Sequence, residues 1–332
     1  MNAICFRLDC NSLIGGGHLR RCLNLSKMIN QRIKFIFLIE IAHEDKINVQ
    51  KQLIYKVNYQ YFFVEKFAPD KEKDFLLNIK NKYKKLLFFF DISNINKQKE
   101  IKKIHYFFKK IQSIEKKIII DSVKKEALLP HIKKLKLGIV ITPYENAKRY
   151  FGPFKHFVGR KYFSYDPKLR LRKKKIRKKI KNILISFGNS DKKKISLFCV
   201  RSLYEVLPKY NTKIVVGPMF DKDQIDKLKI ISKKNKKLKL IFNKDHLSNL
   251  YNWCDILIGS CGNTKFEFMI YKKPLVIIPH SILSESQLIQ LKKEKICLIT
   301  KSIDKLDNIN FSKNFVKFIK DDKKIGIFKK NL

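Results

Sequence analysis

The stretch Arg7-Leu8-Asp9-Cys10-Asn11-Ser12-Leu13-Ile14-Gly15-Gly16-Gly17-His18 follows the short apolar run Ala3–Leu8. It precedes an amphipathic run in which Leu19, Cys22, Leu23, Leu25 and Ser26 recur at helical spacing. Strand, glycine turn and helix start, in that order, open an α/β unit, and ligands of such units gather at the carboxyl ends of the strands. Three successive glycines permit positive φ and close approach of a ligand to the backbone. Amides at the start of the following helix can meet negative charge. An imidazole at a helix N-terminus is favoured in its neutral form, because the dipole opposes the cation, and a neutral imidazole can take a proton from water. His18 is therefore a candidate general base. Asp9 is its candidate partner, either orienting the ring or the water, or else bonding the turn backbone. A plain βα loop with a capping histidine is the structural alternative.

The same alternation continues outward. Strands are expected at Ala3–Leu8, Lys34–Ile39, Tyr59–Val64, Leu86–Asp91, Lys117–Asp121 and Gly138–Thr142, with helices including about 18–30 and 97–114. Ten of the fourteen residues from Lys168 to Lys181 are Lys or Arg, a run that cannot be buried and marks a connection or a solvated face. The pattern then restarts, with strands at Ile183–Phe187, Thr212–Val216, Lys237–Phe242, Asp255–Gly259, Pro274–Ile278 and Cys297–Ile299. The fold class is α/β: two Rossmann-like, doubly wound domains facing across a cleft. The expected division is 1–165 for an N-terminal domain with the catalytic histidine and sugar site, 166–182 for a basic linker, and 183–332 for a C-terminal nucleotide-binding domain.

Composition narrows the classes. The 332 residues carry a formal charge of +45, which raises nucleic acid as a partner. The chain is also rich in Lys, Ile, Asn, Phe and Tyr, whose codons are mainly A and U, so a diffuse, drift-derived charge is the first reading. No helix-turn-helix, zinc-finger or RNP pattern supports a specific nucleic-acid partner. No run of ~18 uncharged apolar residues suggests a transmembrane helix. Met1 to Asp9 reads as a strand and not as a secretion signal, so a cytoplasmic location is expected. The seven cysteines include no C-x-x-C pair and suggest neither a disulfide framework nor a zinc site. The glycine spacing is not G-x-G-x-x-G and no acidic residue is expected to end the second strand, which disfavours a nicotinamide cofactor. No cofactor or metal is expected. Asp221-Lys222-Asp223 reads as a solvated loop in a Lys-rich stretch.

A second candidate site lies in the trailing half. Ile256-Leu257-Ile258-Gly259-Ser260-Cys261-Gly262-Asn263-Thr264-Lys265-Phe266-Glu267 is another strand, small-residue turn and helix. Amides near Gly262, Asn263 and Thr264 can bind a diphosphate, and Glu267, one turn in, can reach a diol such as ribose. An ordinary capped helix with a solvated glutamate is the alternative. Ser186-Phe187-Gly188-Asn189-Ser190-Asp191 also ends a strand; Ser190 or Asp191 is either an N-cap or a phosphate or sugar contact.

Together these motifs resemble the UDP-2,4-diacetamido-2,4,6-trideoxy-altropyranose hydrolases of pseudaminic acid biosynthesis. Arg7-x-Asp9 followed by Ile14-Gly15-x-Gly17-His18-x-x-Arg21-Cys22 is similar to their N-terminal signature. Gly188-x-Ser190-Asp191, Asp245-His246-Leu247-x-x-Leu250, Gly259-Ser260-x-Gly262-x-Thr264-x-x-Glu267, Lys273-Pro274, Ser286-Gln287 and Phe157-Val158-Gly159-x-x-Tyr162 follow in the family's order. The trailing motif is shared with the wider GT-B superfamily of UDP-sugar glycosyltransferases. The resemblance implies inverting hydrolysis of a UDP-sugar at its anomeric carbon, releasing UDP without a metal; a monomer is expected. His18 would be the base and Glu267 the ribose ligand. The strand end at Phe242, with Leu247, would hold uracil, and Arg7, Gly15, Gly17, Arg21, Ser190 and Gln287 would line the substrate site. Phe266 in place of the family's Trp, Asn189 in place of a Gly, and Asp91-Ile92-Ser93 and Asp121-Ser122 in place of its sugar-facing pairs depart from the pattern. A glycosyltransferase of the same fold is the alternative reading.

Overall fold

The computed structural model describes residues 2–10, 16–29, 32–53, 56–65, 67–92, 101–123, 127–144, 147–169, 179–242, 246–281, 288–295 and 297–321. The chain forms two compact units, Met1–Pro167 and Lys168–Leu332. The first runs β1 (Asn2–Asp9), α1 (Gly17–Met28), β2 (Lys34–Glu40), α2 (Lys46–Gln50), β3 (Tyr59–Val64), α3 (Pro69–Lys82), β4 (Lys85–Asp91), α4 (Ile101–Lys110), β5 (Lys117–Ile120), α5 (Leu129–Ile132), β6 (Gly138–Thr142) and β7 (Phe154–Val158). The second runs β8 (Asn182–Ser186), α6 (Ile195–Ser202), β9 (Asn211–Val216), α7 (Lys222–Lys234), β10 (Leu238–Phe242), α8 (Ser248–Trp253), β11 (Ile256–Gly259), α9 (Asn263–Met269), β12 (Leu275–Ile277), α10 (Ile289–Lys293), β13 (Leu298–Ile299) and α11 (Asn308–Lys320).

The first sheet has the order β3-β2-β1-β4-β5-β6-β7 and the second β10-β9-β8-β11-β12-β13. All pairings between these strands are parallel. Each order turns back on itself once, between β1 and β4 and between β8 and β11, and a crevice opens at the carboxyl ends of such a pair. Every expected strand is present within a residue or two. β7 is an additional edge strand, paired with β6 from Gly138↔Phe154 to Thr142↔Val158.

β1 is buried from Ala3 to Asp9, as a central strand covered on both faces must be. Its sides are aromatic. Phe6 stacks on Phe37 at 5.0 Å and meets Phe89 edge-on at 5.4 Å. On the opposite side Cys5, Phe88 and Phe90 join Phe107 and Phe108 of α4 in one cluster. In the second unit α11 drives Phe311, Phe315 and Phe318 into a core with Ile183, Ile185, Ile256 and Ile258. Its N-cap Asp307 accepts the amide of Asn310 at 2.8 Å.

Asp121, just beyond β5, is buried and accepts the amides of Leu128 at 2.5 Å and Leu129 at 3.2 Å, which ties down the start of α5. Burial pushes its carboxyl up to about 6, against the opposing pull of the amides of Leu128, Leu129 and Ser122. A raised folded-state pKa means that the folded chain holds this proton more tightly than the unfolded one. The resulting stabilisation is complete below about pH 4 and is lost as pH rises through about 6. We expect the stability of the wild type relative to Asp121→Asn to fall by on the order of 2–3 kcal/mol between about pH 4 and pH 7. Urea melts followed by circular dichroism read this directly; a difference independent of pH would refute it.

Candidate functional site

In the first unit, β1 and β4 lie side by side with Leu8 opposite Asp91. α1 begins at Gly17, so His18 stands beside the end of β4. Its Nδ1 lies 2.6 Å from Asp91 Oδ1. Arg21, one turn further along α1, grips the same carboxylate with Nε on Oδ2 and Nη2 on Oδ1, both at 2.7 Å. Asp91 is buried. Burial alone would raise its carboxyl, but the Arg21 guanidinium and the His18 imidazole outweigh burial and hold it well below the usual carboxylate range. A carboxylate only accepts, so the His18 nitrogen facing it carries the proton and the Nε2 lone pair is left for chemistry. The His18 side chain is 21% exposed while Asp91 is sealed in at 1%. The ring can thus meet a ligand while its holder cannot.

Four expectations for this half need correction. Asp9 is not the residue that holds His18. It is buried and paired with Arg7 Nη1, whereas the ring's Nδ1 donates to Asp91, with Arg21 Nη2 3.4 Å away on the same carboxylate. Arg7 reaches no surface. Its guanidinium is fully buried, bonded to Asp9, to Glu40 at 2.6 Å and to Glu72 at 2.6 and 3.1 Å, with the Phe67 ring 5.8 Å away. An acidic residue does end the second strand, since Glu40 closes β2, and its carboxylate is engaged by Arg7. The glycine turn also differs from expectation. Gly16 is the N-cap at φ −92°, and neither Gly16 nor Gly17 has positive φ. Gly15 lies outside the described residues. α1 buries Arg21 and Asn24 along with Leu19, Cys22, Leu23 and Ser26, whereas Leu25 is only partly covered.

In the second unit the equivalent strands are β8 and β11, with Ser186 opposite Gly259. A Cβ on Gly259 would stand 3.0 Å from the Ser186 carbonyl oxygen, so the two strand ends approach at a distance only glycine tolerates well. Gly188, with φ +88°, turns the chain out of β8. Asp191 is the structural member of the next loop. Its buried carboxylate accepts the amides of Ile195 and Ser196 and the Gln224 side-chain amide, each at 2.8 Å. Ser190 is half-buried beside it.

The turn after β11 leads into α9, with Gly262 as N-cap. Gly262 is exposed, and Asn263, Thr264 and Glu267 are half-buried. Glu267 is held from behind, since the hydroxyl of the fully buried Tyr251 donates to its Oε2 at 3.1 Å. Burial and the neighbouring Glu267 carboxylate both push the Tyr251 phenol up, which keeps it a donor. Phe242, 42% exposed, ends β10, and Leu247 precedes α8 as a half-buried N-cap. Gln287 and Asp245 lie outside the described residues. Lys273 donates to the carbonyls of Tyr251, Asn252 and Cys254 at 2.7–2.9 Å, closing the C-terminus of α8. Asp221 and Asp223 sit at the start of α7, with Asp223 paired to Lys194 and Lys227, where a loop was expected.

Sequence reasoning missed two residues here. Asp91 was noted as the end of a strand and in a departure from the family's sugar-facing pattern, not as the partner of His18. Lys265 was given no role, yet it is buried, its ammonium folded back onto the carbonyls of Cys261 and Gly262 and 4.0 Å from the Phe266 ring. A lysine one turn into a helix whose N-terminus faces a small-residue turn is the only signal that could have marked it. Among the described residues no three His, Cys, Asp or Glu side chains are grouped to hold a metal ion. No described helix is long and apolar enough to cross a membrane.

No protein-family model matches the chain. The uncharacterized protein MJ1062 of Methanocaldococcus jannaschii is 26% identical over 282 residues, which cover 80% of this chain and 53% of MJ1062. The chain thus spans about half the length of this curated relative. Among solved structures, Acinetobacter baumannii MurG superposes with a TM-score of 0.62 at 11% identity, covering 99% of this chain and 94% of its own. UGT2 of Phytolacca americana, complexed with UDP-2-fluoro-glucose and pterostilbene, gives 0.63 at 11%, covering 100% and 93%. Anabaena HepE, in complex with UDP and glucose, gives 0.58 at 11%, covering 98% and 92%. At such identity the likeness concerns the fold, which is that of two parallel-sheet, Rossmann-like domains of the GT-B type.

Proposed function

We propose that this chain is a UDP-sugar enzyme that breaks the bond between the anomeric carbon and the diphosphate, with His18 as the base for the incoming nucleophile. The observation that carries the reading is the His18–Asp91–Arg21 array at the carboxyl edge of the first sheet. Asp91 fixes the proton on Nδ1, Arg21 keeps Asp91 anionic, and Nε2 accepts the proton of an attacking O–H. As the C1–oxygen bond breaks, the electrons pass to the diphosphate. In the second unit, the amides at Gly262, Asn263 and Thr264 receive that charge, Glu267 holds the ribose hydroxyls, and Phe242 with Leu247 takes the base. Gly17 and Arg21 are assigned to the substrate in the first unit and Ser190 in the second; Arg7 and Asp9 support β1 from within.

Two nucleophiles fit this chemistry. An acceptor hydroxyl is favoured by the GT-B neighbours, whose solved complexes include UDP with glucose and UDP-2-fluoro-glucose with pterostilbene. Water, acting on a UDP-linked diacetamido-trideoxy hexose as in nonulosonic acid synthesis, is supported by the N-terminal motif around His18. Incubating the purified chain with a panel of UDP-sugars, with and without acceptor alcohols, separates them. UDP release equal to free sugar formed, without acceptor, selects hydrolysis; release only with acceptor selects transfer. No UDP release in any arm would end the proposal.

The trailing half has its own test. Glu267→Ala is expected to weaken UDP binding about 10- to 100-fold, the range for losing charge-assisted hydrogen bonds. Titration calorimetry with UDP, and with a uracil-free pyrophosphate control that should barely change, reads this outcome. Unaltered UDP affinity would remove Glu267 from the site.

A further inference from the structure

Six of the seven cysteines are buried. Burial pushes the thiols of Cys5, Cys10 and Cys254 up to about 12, and those of Cys22 and Cys199 upward as well. Such thiols are inert. Cys261 is built differently. It is partly exposed, and its Sγ lies 3.1 Å from Nδ1 of His280. The pairing follows from the sheet. β11 and β12 run parallel with Gly259 opposite Ile277, and Ile278 bonds back to the Gly259 carbonyl, so the residues just past the two strand ends meet. Cys261 lies two residues beyond one end and His280 three beyond the other. A third group adds charge, since the buried Lys265 ammonium rests on the Cys261 carbonyl oxygen. A partly exposed thiol against an imidazole, with an ammonium on the carbonyl oxygen of the same residue, has the surroundings of a reactive cysteine, and nothing in the reaction proposed above uses it.

We propose that Cys261 and His280 form a thiol-modification site that takes a low-molecular-weight disulfide, and that the resulting adduct controls access to the neighbouring nucleotide turn. His280 removes the thiol proton. The Cys261 thiolate attacks one sulfur of the disulfide, a new S–S bond forms to Cys261, the original S–S bond breaks, and the departing thiolate takes the proton from the imidazolium. The balance is one thiol and one disulfide giving one mixed disulfide and one thiol, with the incoming disulfide as the oxidant. The adduct sits on the residue directly before Gly262, Asn263 and Thr264, where its bulk competes with a diphosphate. The control of access rests on the nucleotide reading; the modification itself does not.

The test treats the native full chain with oxidised glutathione and maps adducts by peptide mass spectrometry. We expect one glutathionyl group, on the peptide carrying Cys261, none on Cys261→Ser, and labelling slowed about tenfold or more in His280→Gln, whose exposed side chain leaves the melting curve intact. The glutathionylated chain is expected to bind UDP at least about tenfold more weakly, with recovery after dithiothreitol. Adducts spread over the buried cysteines, or equal rates in His280→Gln, would overturn the modification site. An adduct that binds UDP as well as the untreated chain does would overturn the control of access. A selective adduct on a chain that binds no UDP at all would overturn the nucleotide reading and leave the site standing.

Discussion

Replacing His18 by alanine is expected to lower turnover about 10²- to 10⁴-fold while leaving UDP affinity within about twofold. The split follows from where the ring stands. It belongs to the first unit, at the edge of β1 and β4, whereas the groups assigned to UDP belong to the second. Its environment explains the size of the effect: a base contributes fully only if its proton sits on the other nitrogen, and a buried, anionic Asp91 enforces that tautomer. Asp91→Asn should therefore reproduce much of the loss through a side chain that touches no ligand. The amide can present its NH₂ to Nδ1, which favours the wrong tautomer, and it leaves Arg21 with a weaker partner. Steady-state kinetics paired with UDP calorimetry check both variants. Normal turnover in His18→Ala would remove the base assignment. A fully active Asp91→Asn would show that the ring needs no holder.

The second large effect concerns stability. Arg7→Met is expected to destabilise the first unit by about 3–5 kcal/mol. The guanidinium is the shared counter-charge of Asp9, Glu40 and Glu72, and two of those three carboxylates are sealed from solvent along with it. Removing it leaves their charge uncompensated in a low-dielectric interior, which is worse than never having buried a pair. Against a total stability of roughly 5–15 kcal/mol, that is a substantial share. Arg7→Lys should recover only part of it, because a single ammonium cannot present the planar fork that reaches three acceptors from one position. Chemical denaturation monitored by circular dichroism gives the ranking wild type, then lysine, then methionine. A methionine variant within about 1 kcal/mol of wild type would mean that the carboxylates find protons or other partners when the arginine is gone.

These two residues also show where sequence reading stopped. The strands were legible because short β-branched and aromatic runs punctuate a polar, lysine-rich chain. The repeated strand–turn–helix pattern gave the two-sheet α/β class. β7 was passed over because Phe-Lys-His-Phe-Val alternates charge with aromatic residues and follows Gly152-Pro153, which reads as the close of a loop. As an edge strand it needs only one covered face, so its pattern is weak. In the site, His18 and the small-residue turn were visible because glycine and histidine are conspicuous at strand ends. Their partners were not. Asp91 is 73 residues from His18, and Glu72 is 65 from Arg7. Contacts of that span are fixed by strand order, and no local pattern encodes which of several strand-end carboxylates will face which cation. Arg7 was read as a ligand contact through the resemblance of Arg7-x-Asp9 to the family signature, and the pairing that buries it instead, with Glu40 and Glu72, is set by strand register and a distant helix.

The strand order has a consequence for synthesis. β1 comes first among these strands along the chain, yet it lies mid-sheet, and one of its two neighbours, β4, does not begin until Lys85. No pair of consecutive strands can close as a hairpin, because each parallel step requires a long crossover. A nascent chain must therefore carry the apolar strand Ala3–Leu8 with one flank bare for some eighty residues, and each further addition waits on another distant segment. Folding is expected to be slow and to proceed one unit at a time, with β1 as the segment most in need of a chaperone's shelter.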